Sequence, residues 1–286
     1  MLIEVLDGAL LHSVRAALTE DVGTGDITAD LIPAERRAHA TVIAREAAVL
    51  CGMAWFDAVF AELDTRIHIA WAARDGDRVA AGQTLCTLEG PARPILTGER
   101  TALNFLQTLS GTATLAHAYA ARVSGLPVRI LDTRKTIPGL RDAQKYAVRT
   151  GGASNHRTGL YDGILIKENH IGAAGSIRQA VAEAARLHPG FAIEVEVERL
   201  EQIEEAIAAG ANRLLLDNFS IAELAVAVSR VAGRVPLEAS GGVTLDNLRE
   251  IALTGVDFIS VGTLTKHVQA IDLSLRFALA DAEQPA

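Results

Sequence analysis

From residue 127 onward the chain repeats one rhythm: a short apolar run ending in polar or charged residues, then a helix-length amphipathic stretch. The apolar runs at 128–132, 163–167, 192–197, 213–217, 236–239 and 258–261 predict strands. Between them, 176–187, 200–209, 221–231 and 245–253 have helical spacing. Gly210 and Gly255 stand where a helix C-terminus favours a left-handed residue. Strand and helix alternating through short connections predict a parallel sheet. Polar ends on nearly every strand favour a sheet that curls around one centre, as a barrel, over an open doubly wound one. The first 112 or so residues differ. They predict a helix near 8–19, strands near 39–45 and 67–71, a helix near 53–63, a turn-rich stretch at 75–88, and helices near 99–109 and 115–123.

Composition agrees with this pattern. The 286 residues are 49% hydrophobic but only 4% aromatic, which suits helices packed on buried parallel strands better than an all-β sandwich. A formal charge of −8 argues against a general nucleic-acid or membrane-surface binder. Cys51 and Cys86 are too few for a disulfide framework or a cysteine zinc site. Glu4 and Asp7 interrupt the amino-terminal stretch, so no signal peptide is expected, nor is any run long enough to span a bilayer; cytoplasm is the expected compartment.

The strand ends carry the chemistry. The first runs into Asp132-Thr-Arg134-Lys135 and the second into Lys167-Glu168-Asn169-His170. The third carries Glu194 and Glu196 on one face, and the fourth ends at Asp217-Asn218. The fifth ends at Glu238-Ala-Ser240-Gly241-Gly242 and the sixth at Ser260-Val-Gly262-Thr263. Ligands of parallel sheets bind at these carboxyl ends. Only four of the 27 basic residues are lysines, and Lys135, Lys167 and Lys266 of that four fall at or just beyond strand ends. Between Arg129 and Lys167 there are eight Lys and Arg against three Asp and Glu, in a chain that is acidic overall. With His156 and Arg157 on a Gly-rich loop, these groups predict a trap for a strongly anionic small molecule. The glycines after the last two strands let backbone N–H groups approach a phosphate. Glu196 and Asp217 read either as ion-pair partners or as groups facing a divalent metal or a cationic sugar centre.

Several runs together resemble the nicotinate-nucleotide pyrophosphorylase (quinolinate phosphoribosyltransferase) family. They are Leu131-Asp-Thr-Arg-Lys-Thr-Ile-Pro-Gly-Leu-Arg, Gly151-Gly-Ala-Ser-Asn-His-Arg, Leu165-Ile-Lys-Glu-Asn-His, Gly98-Glu-Arg-Thr-Ala-Leu-Asn, Val195-Glu-Val-Glu and Leu216-Asp-Asn. The resemblance continues through Gly262-Thr-Leu-Thr-Lys-His and so covers essentially the whole chain. It implies a small N-terminal α/β sandwich domain (1–112), an incomplete parallel α/β barrel (113–270), and a C-terminal helix (271–286) packing back on the first domain. It implies transfer of phosphoribosyl from phosphoribosyl pyrophosphate to quinolinate with decarboxylation, magnesium as the cofactor, and a homodimer or an oligomer of dimers. By the same resemblance Arg134, His156 and Arg157 would hold the quinolinate carboxylates, with Arg100 lent by a neighbouring subunit. Lys135 and Lys167 would lie between the two substrates, and Glu196 and Asp217 would hold magnesium and face the ribose. Ser240, Gly241, Gly242, Ser260 and Gly262, with Lys266 and His267, would receive phosphate. Two other readings are a ModD-like phosphoribosyltransferase homologue and a Schiff-base aldolase using Lys167. A carrier module at 75–88 has no lysine to modify.

Overall fold

A computed structural model describes residues 2–280, with side chains from residue 8 onward. The chain begins α1 (Leu2–Val22), β1 (Arg37–Ala44), β2 (Ala48–Val49), α2 (Met53–Leu63), β3 (His68–Trp71), β4 (Arg78–Val79), β5 (Thr84–Pro91) and α3 (Ala92–Arg122). It continues β6 (Arg129–Leu131), α4 (Arg141–Thr150), β7 (Ile164–Ile166), α5 (Glu168–Ala174), α6 (Ile177–Leu187), β8 (Ile193–Val197) and α7 (Gln202–Ala209). The remainder is β9 (Arg213–Asp217), α8 (Ile221–Val231), β10 (Leu237–Ser240), α9 (Leu248–Leu253), β11 (Phe258–Ser260), α10 (Thr263–Lys266) and β12 (Leu273–Leu279). Among the described residues no helix is long and apolar enough to cross a membrane.

The chain divides into two compact units. The first holds residues up to Leu115, Ile137–Gly151 and the chain from His267, and the second holds Ala116–Thr136 and Gly152–Lys266. The boundaries fall at 115/116 and 266/267 beside the expected 112/113 and 270/271, and in addition α4 joins the first unit, where Ala143 and Ala147 are buried in its core.

In the first unit an antiparallel sheet has the order β12-β1-β5-β3. Alternate residues Ala38, Ala40 and Val42 of β1 turn inward, as period-two patterning requires. They join Trp55, Phe56, Val59 and Phe60 of α2 and Leu103 and Leu106 of α3 in one core. Each such large side chain contributes roughly 1.5–3 kcal/mol on burial. Gly52 at the start of α2 has no side chain to cap it. Asp75 does so from a distance, accepting from the Gly52 and Met53 N–H groups at 3.0 and 3.2 Å, and Tyr146 donates to its other oxygen at 2.8 Å.

Two expectations fail here. The C-terminal stretch is a strand, pairing with β1 from Ala38↔Leu279 to Ala44↔Leu273, because Leu273, Leu275 and Phe277 alternate inward at period two. It does pack back on the first unit, and 281–286 lie outside the described residues. The two helices expected at 99–109 and 115–123 are one, since Ser110-Gly-Thr-Ala-Thr is a packing surface and not a break. The Ser110 hydroxyl accepts from Cys51 N–H and donates to Cys51 C=O. A Cβ on Gly111 would collide with the Gln269 carbonyl oxygen.

The second unit is the expected incomplete barrel: a six-stranded sheet in the order β6-β11-β10-β9-β8-β7, with every strand pair parallel. β8 is buried along its whole length. Its edges, β6 and β7, are not paired with each other. The segment around Ser154 fills the seam. Ser154 N–H donates to Ile130 C=O at 2.8 Å, and Asp132 N–H donates to Ser154 C=O at 3.0 Å.

Gly111→Ala tests the reading of α3 as a continuous packing surface. Alanine gains about 1 kcal/mol of helix propensity, yet the variant is expected to lose about 1–3 kcal/mol of stability in urea unfolding, as overpacking does. Equal or greater stability would show that the helix has room to spare there.

Candidate active site

The seam segment places the two basic groups of the Gly-rich loop. The Asp132 carboxylate is fully buried and accepts from Asn155 Nδ2 at 2.6 Å and from His156 N–H at 2.8 Å. The Arg157 N–H donates to His156 Nδ1 at 2.7 Å, which leaves Nε2 as the ring nitrogen facing the barrel interior. Arg157 Nη1 then donates to Gly163 C=O at 3.0 Å, tying the segment to the start of β7. Asp132, already at the end of the first predicted strand, thus sets the orientation of both side chains.

A cavity of about 280 Å³ opens at the carboxyl ends of the strands, lined by Thr133, Arg134, Lys135, His156, Arg157, Leu165, Lys167, Glu196, Leu215, Asp217, Glu238, Ser240 and Ser260. Lys135 is held at both backbone ends: its N–H donates to Thr133 Oγ1 at 3.1 Å, and its C=O accepts from Thr265 Oγ1 at 2.8 Å. Its stem passes Gly262, where a Cβ would come within 3.1 Å of Lys135 Cδ. Lys167 Nζ donates to Glu196 Oε2 at 2.6 Å. Its nitrogen is thus engaged in an ion pair with a buried carboxylate, and nothing in that arrangement isolates it in an apolar pocket as a Schiff-base amine requires. Asp217 accepts from Asn218 Nδ2 at 2.7 Å, and Asn218 adopts a left-handed φ of 58°. At the next strand Gly241 has φ 96°, and a Cβ there would collide with Asn218 Oδ1.

Beneath the cations lies a buried acidic layer. Glu194, Glu196 and Glu238 are 7, 8 and 0% exposed, a depth at which unpaired carboxylates are rare. His156 Nε2 lies 2.9 Å from Glu194 Oε2 and 3.6 Å from Glu238 Oε1. Arg213 Nη1 donates to Glu238 Oε2 at 3.2 Å. Burial and the neighbouring charge of Glu194 push Glu238 up to about 7, against the pull of His156. Burial also raises Glu196, although Lys167 opposes it. For His156, burial disfavours the charged ring, but the two glutamates outweigh it and hold the imidazole above its ordinary value. Burial and the Arg134 charge bring Arg157 below the usual arginine value.

Of the residues singled out from sequence, Arg134, Lys135, His156, Arg157, Lys167, Glu196, Asp217, Ser240 and Ser260 line this one cavity. Gly241, Gly242, Gly262 and Lys266 follow those strand ends without lining it. Arg100 is exposed on α3 in the first unit, and His267 also falls in that unit. Sequence reasoning passed over Glu238 and Glu194 as chemistry. The signal was present: an acid in mid-strand between apolar neighbours, which alternation turns toward the barrel interior. Among the described residues, His156, Glu194 and Glu238 form a group of three metal-capable side chains whose ligand atoms lie within 4.8 Å of one another.

Comparison with known proteins identifies the family. The family described as "Quinolinate phosphoribosyl transferase, C-terminal domain" matches residues 112–276, and its N-terminal counterpart matches 26–110. The "Probable nicotinate-nucleotide pyrophosphorylase [carboxylating]" of Bacillus subtilis is 41% identical over 263 residues, covering 92% of this chain and 91% of its own. The corresponding enzyme of Mycobacterium leprae is 41% identical over 277 residues, covering 93% and 96%. The solved structure of the nicotinate-nucleotide pyrophosphorylase from Francisella tularensis superposes with a TM-score of 0.92 at 48% identity, covering 95% of this chain and 96% of that one.

Two outcomes follow from this geometry. Asp132→Ala removes the acceptor of the hydrogen bonds from Asn155 Nδ2 and the His156 N–H, so about 3 kcal/mol of stability should be lost in urea unfolding; a loss under ~1 kcal/mol would contradict the anchoring role. The folded state holds the Glu238 proton more tightly than the unfolded chain does. Its contribution is therefore complete below the ordinary carboxylate range and is lost as pH rises through about 7. Relative to the parent, Glu238→Gln should gain stability between about pH 5 and 8; a pH-independent difference would contradict the shift.

Proposed function

The chain belongs to the quinolinate phosphoribosyltransferase family, and we propose that the cavity at the carboxyl ends of the barrel strands is where it carries out that family's reaction. The protein is a pentosyltransferase of NAD biosynthesis. It transfers phosphoribosyl from phosphoribosyl pyrophosphate to quinolinate with decarboxylation, giving nicotinate mononucleotide, pyrophosphate and carbon dioxide. The observation that carries the placement is the convergence of Arg134, Lys135, His156, Arg157 and Lys167 on one cavity.

Arg134, His156 and Arg157 hold the two quinolinate carboxylates, each charge-assisted hydrogen bond contributing roughly 1.5–3 kcal/mol. Lys135 and Lys167 stand between the dicarboxylate and the pyrophosphate donor, neutralising both so that they can meet. The Lys167–Glu196 pair is shared with the donor: the ammonium turns to phosphate oxygens and the carboxylate to the ribose. As pyrophosphate leaves, positive charge builds on the ribose, and Glu196 and Asp217 stabilise it. The ring nitrogen bonded to ribose then becomes a pyridinium, an electron sink for loss of the adjacent carboxylate. Positioning and charge neutralisation suffice, and no covalent nucleophile is needed.

Glu196 and Asp217 also fit magnesium. They are hard oxygen donors on adjacent strands β8 and β9, facing a cavity built for anions. Magnesium takes one or two such carboxylates beside substrate phosphates. Bound there, it would neutralise pyrophosphate oxygens. The turns at Ser240-Gly241-Gly242 and Ser260–Gly262, with Lys266 and His267, receive phosphate through backbone N–H groups and side chains. Arg100, exposed on α3, is lent across a homodimer interface to the neighbouring site. The enzyme works in the cytoplasm, on small molecules alone.

Purified protein with magnesium, quinolinate and phosphoribosyl pyrophosphate should form nicotinate mononucleotide, and a chelator should stop it; no mononucleotide would overturn the assignment. Arg157→Ala should raise KM for quinolinate about 10–150-fold, the loss of one charge-assisted contact. Mixing Arg100→Ala with Arg157→Ala chains under subunit exchange should restore part of the activity, and no recovery would refute the shared site.

A further inference from the structure

Lys135 stands between the two substrates on the proposed reading, yet it belongs to no helix or strand. It is exposed in the middle of an irregular stretch, residues 132–140, that runs from the end of β6 to the start of α4. Its ammonium is carried on a flexible four-carbon stem. What fixes the backbone at this residue therefore decides where the charge can sit.

Three hydrogen bonds act on that backbone. The Thr136 N–H donates to Arg134 C=O at 3.0 Å, folding the chain into a tight turn centred on Lys135. The Lys135 N–H donates to Thr133 Oγ1 at 3.1 Å within the same turn. Of the three, the last alone reaches outside the segment: Thr265 Oγ1 donates to Lys135 C=O at 2.8 Å. Thr265 is fully buried on α10, so an immobile group inside the second unit holds an exposed one at the mouth of the cavity. The pairing of β6 with β11 brings the two together. The Val261 N–H donates to Leu131 C=O at 2.8 Å where the paired strands end, and the Thr265 bond joins the chains beyond them.

Gly262 lets the lysine lie close. A Cβ there would stand 3.1 Å from Lys135 Cδ and 3.6 Å from Nζ, so the stem passes directly over the turn that receives phosphate on the proposed reading. α10, which follows that turn, is steadied in its place by Tyr119 of α3, whose hydroxyl lies 3.3 Å from Thr263 Oγ1.

We propose that Thr265 is a positioning residue of the transferase: its hydroxyl fixes the Lys135 backbone against the phosphate-receiving turn and so sets where the ammonium meets the dicarboxylate. Fully buried and outside the cavity wall, Thr265 touches neither substrate and acts through Lys135. A charge-assisted hydrogen bond depends on distance and angle, so a lysine whose backbone drifts gives up part of its contact with a carboxylate. The inference rests on the assigned reaction and adds a residue to it.

Calorimetric titration with quinolinate, in the absence of the phosphoribosyl donor, tests this through four proteins: the parent, Thr265→Val, Lys135→Ala and the double variant. Thr265→Val keeps the side-chain shape and removes the hydroxyl. It should weaken quinolinate binding by about threefold or more, and by no more than Lys135→Ala does. The double variant should match Lys135→Ala within about twofold, because the lysine to be positioned is gone. A residue of merely structural importance would weaken binding by the same factor in both backgrounds, and that result would overturn the proposal. Parent-like binding by Thr265→Val would do so too. Thr265→Ser keeps the donor and should bind within about twofold of the parent; a loss as large as that of valine would assign the effect to the methyl group and overturn the role of the hydroxyl. If Thr265→Val folds poorly, Thr265→Ala replaces it in the same four-protein comparison, since it removes the hydroxyl without setting a methyl against the carbonyl. A parent protein that binds no quinolinate would instead overturn the assigned reaction.

Discussion

Like charges crowded into a small cavity repel one another, and the barrel is organised around that repulsion. Arg134, Lys135, His156, Arg157 and Lys167 share a space of about 280 Å³. Two unit charges about 4 Å apart cost roughly 4 kcal/mol at an effective dielectric near 20, so such a group does not hold together unaided. Glu194, Glu196 and Glu238 below it, with Asp217 beside it, supply the opposing charge. The site is a layer of cations resting on a layer of acids. Each layer offsets the charge of the other, and the proposed anionic substrate would complete the neutralisation from above.

The same logic explains why the sheet is left open between β6 and β7. A seventh strand of ordinary composition would close the barrel and bury apolar side chains in the seam. The segment 152–157 instead pairs with β6 through Ser154 and then presents His156 and Arg157 inward. Asp132 anchors that segment through two hydrogen bonds, so it is held by the strand it borders. The incompleteness of the barrel is what gives His156 access to both ends of it.

Much of this was legible in the sequence because parallel strands buried on both faces announce themselves as apolar runs, and strand ends carry their polar residues at a regular place. The cationic half of the site, Arg134 through Lys167, was read in this way. Three features were not. Ser110-Gly111-Thr112 reads locally as a helix break, but only tertiary contact with Cys51 and Gln269 reveals it as the packing surface of a continuous helix. The closing strand Leu273–Leu279 is short and half-exposed, and its partner β1 lies over two hundred residues earlier, so nothing local stood against the helix that the resemblance implied. Glu238 sits in mid-strand, where an acid looks like an anomaly until alternation and burial are seen together.

The central claim is that a cation layer held by buried acids recognises two carboxylates at once. Calorimetric titration with pyridine-2,3-dicarboxylate and with pyridine-3-carboxylate, at one pH and ionic strength, tests it most directly. The dicarboxylate should bind about 10–150-fold more tightly, the equivalent of one further charge-assisted contact. Equal affinities would contradict the account, because a site that does not distinguish one carboxylate from two is not organised by the charge balance described.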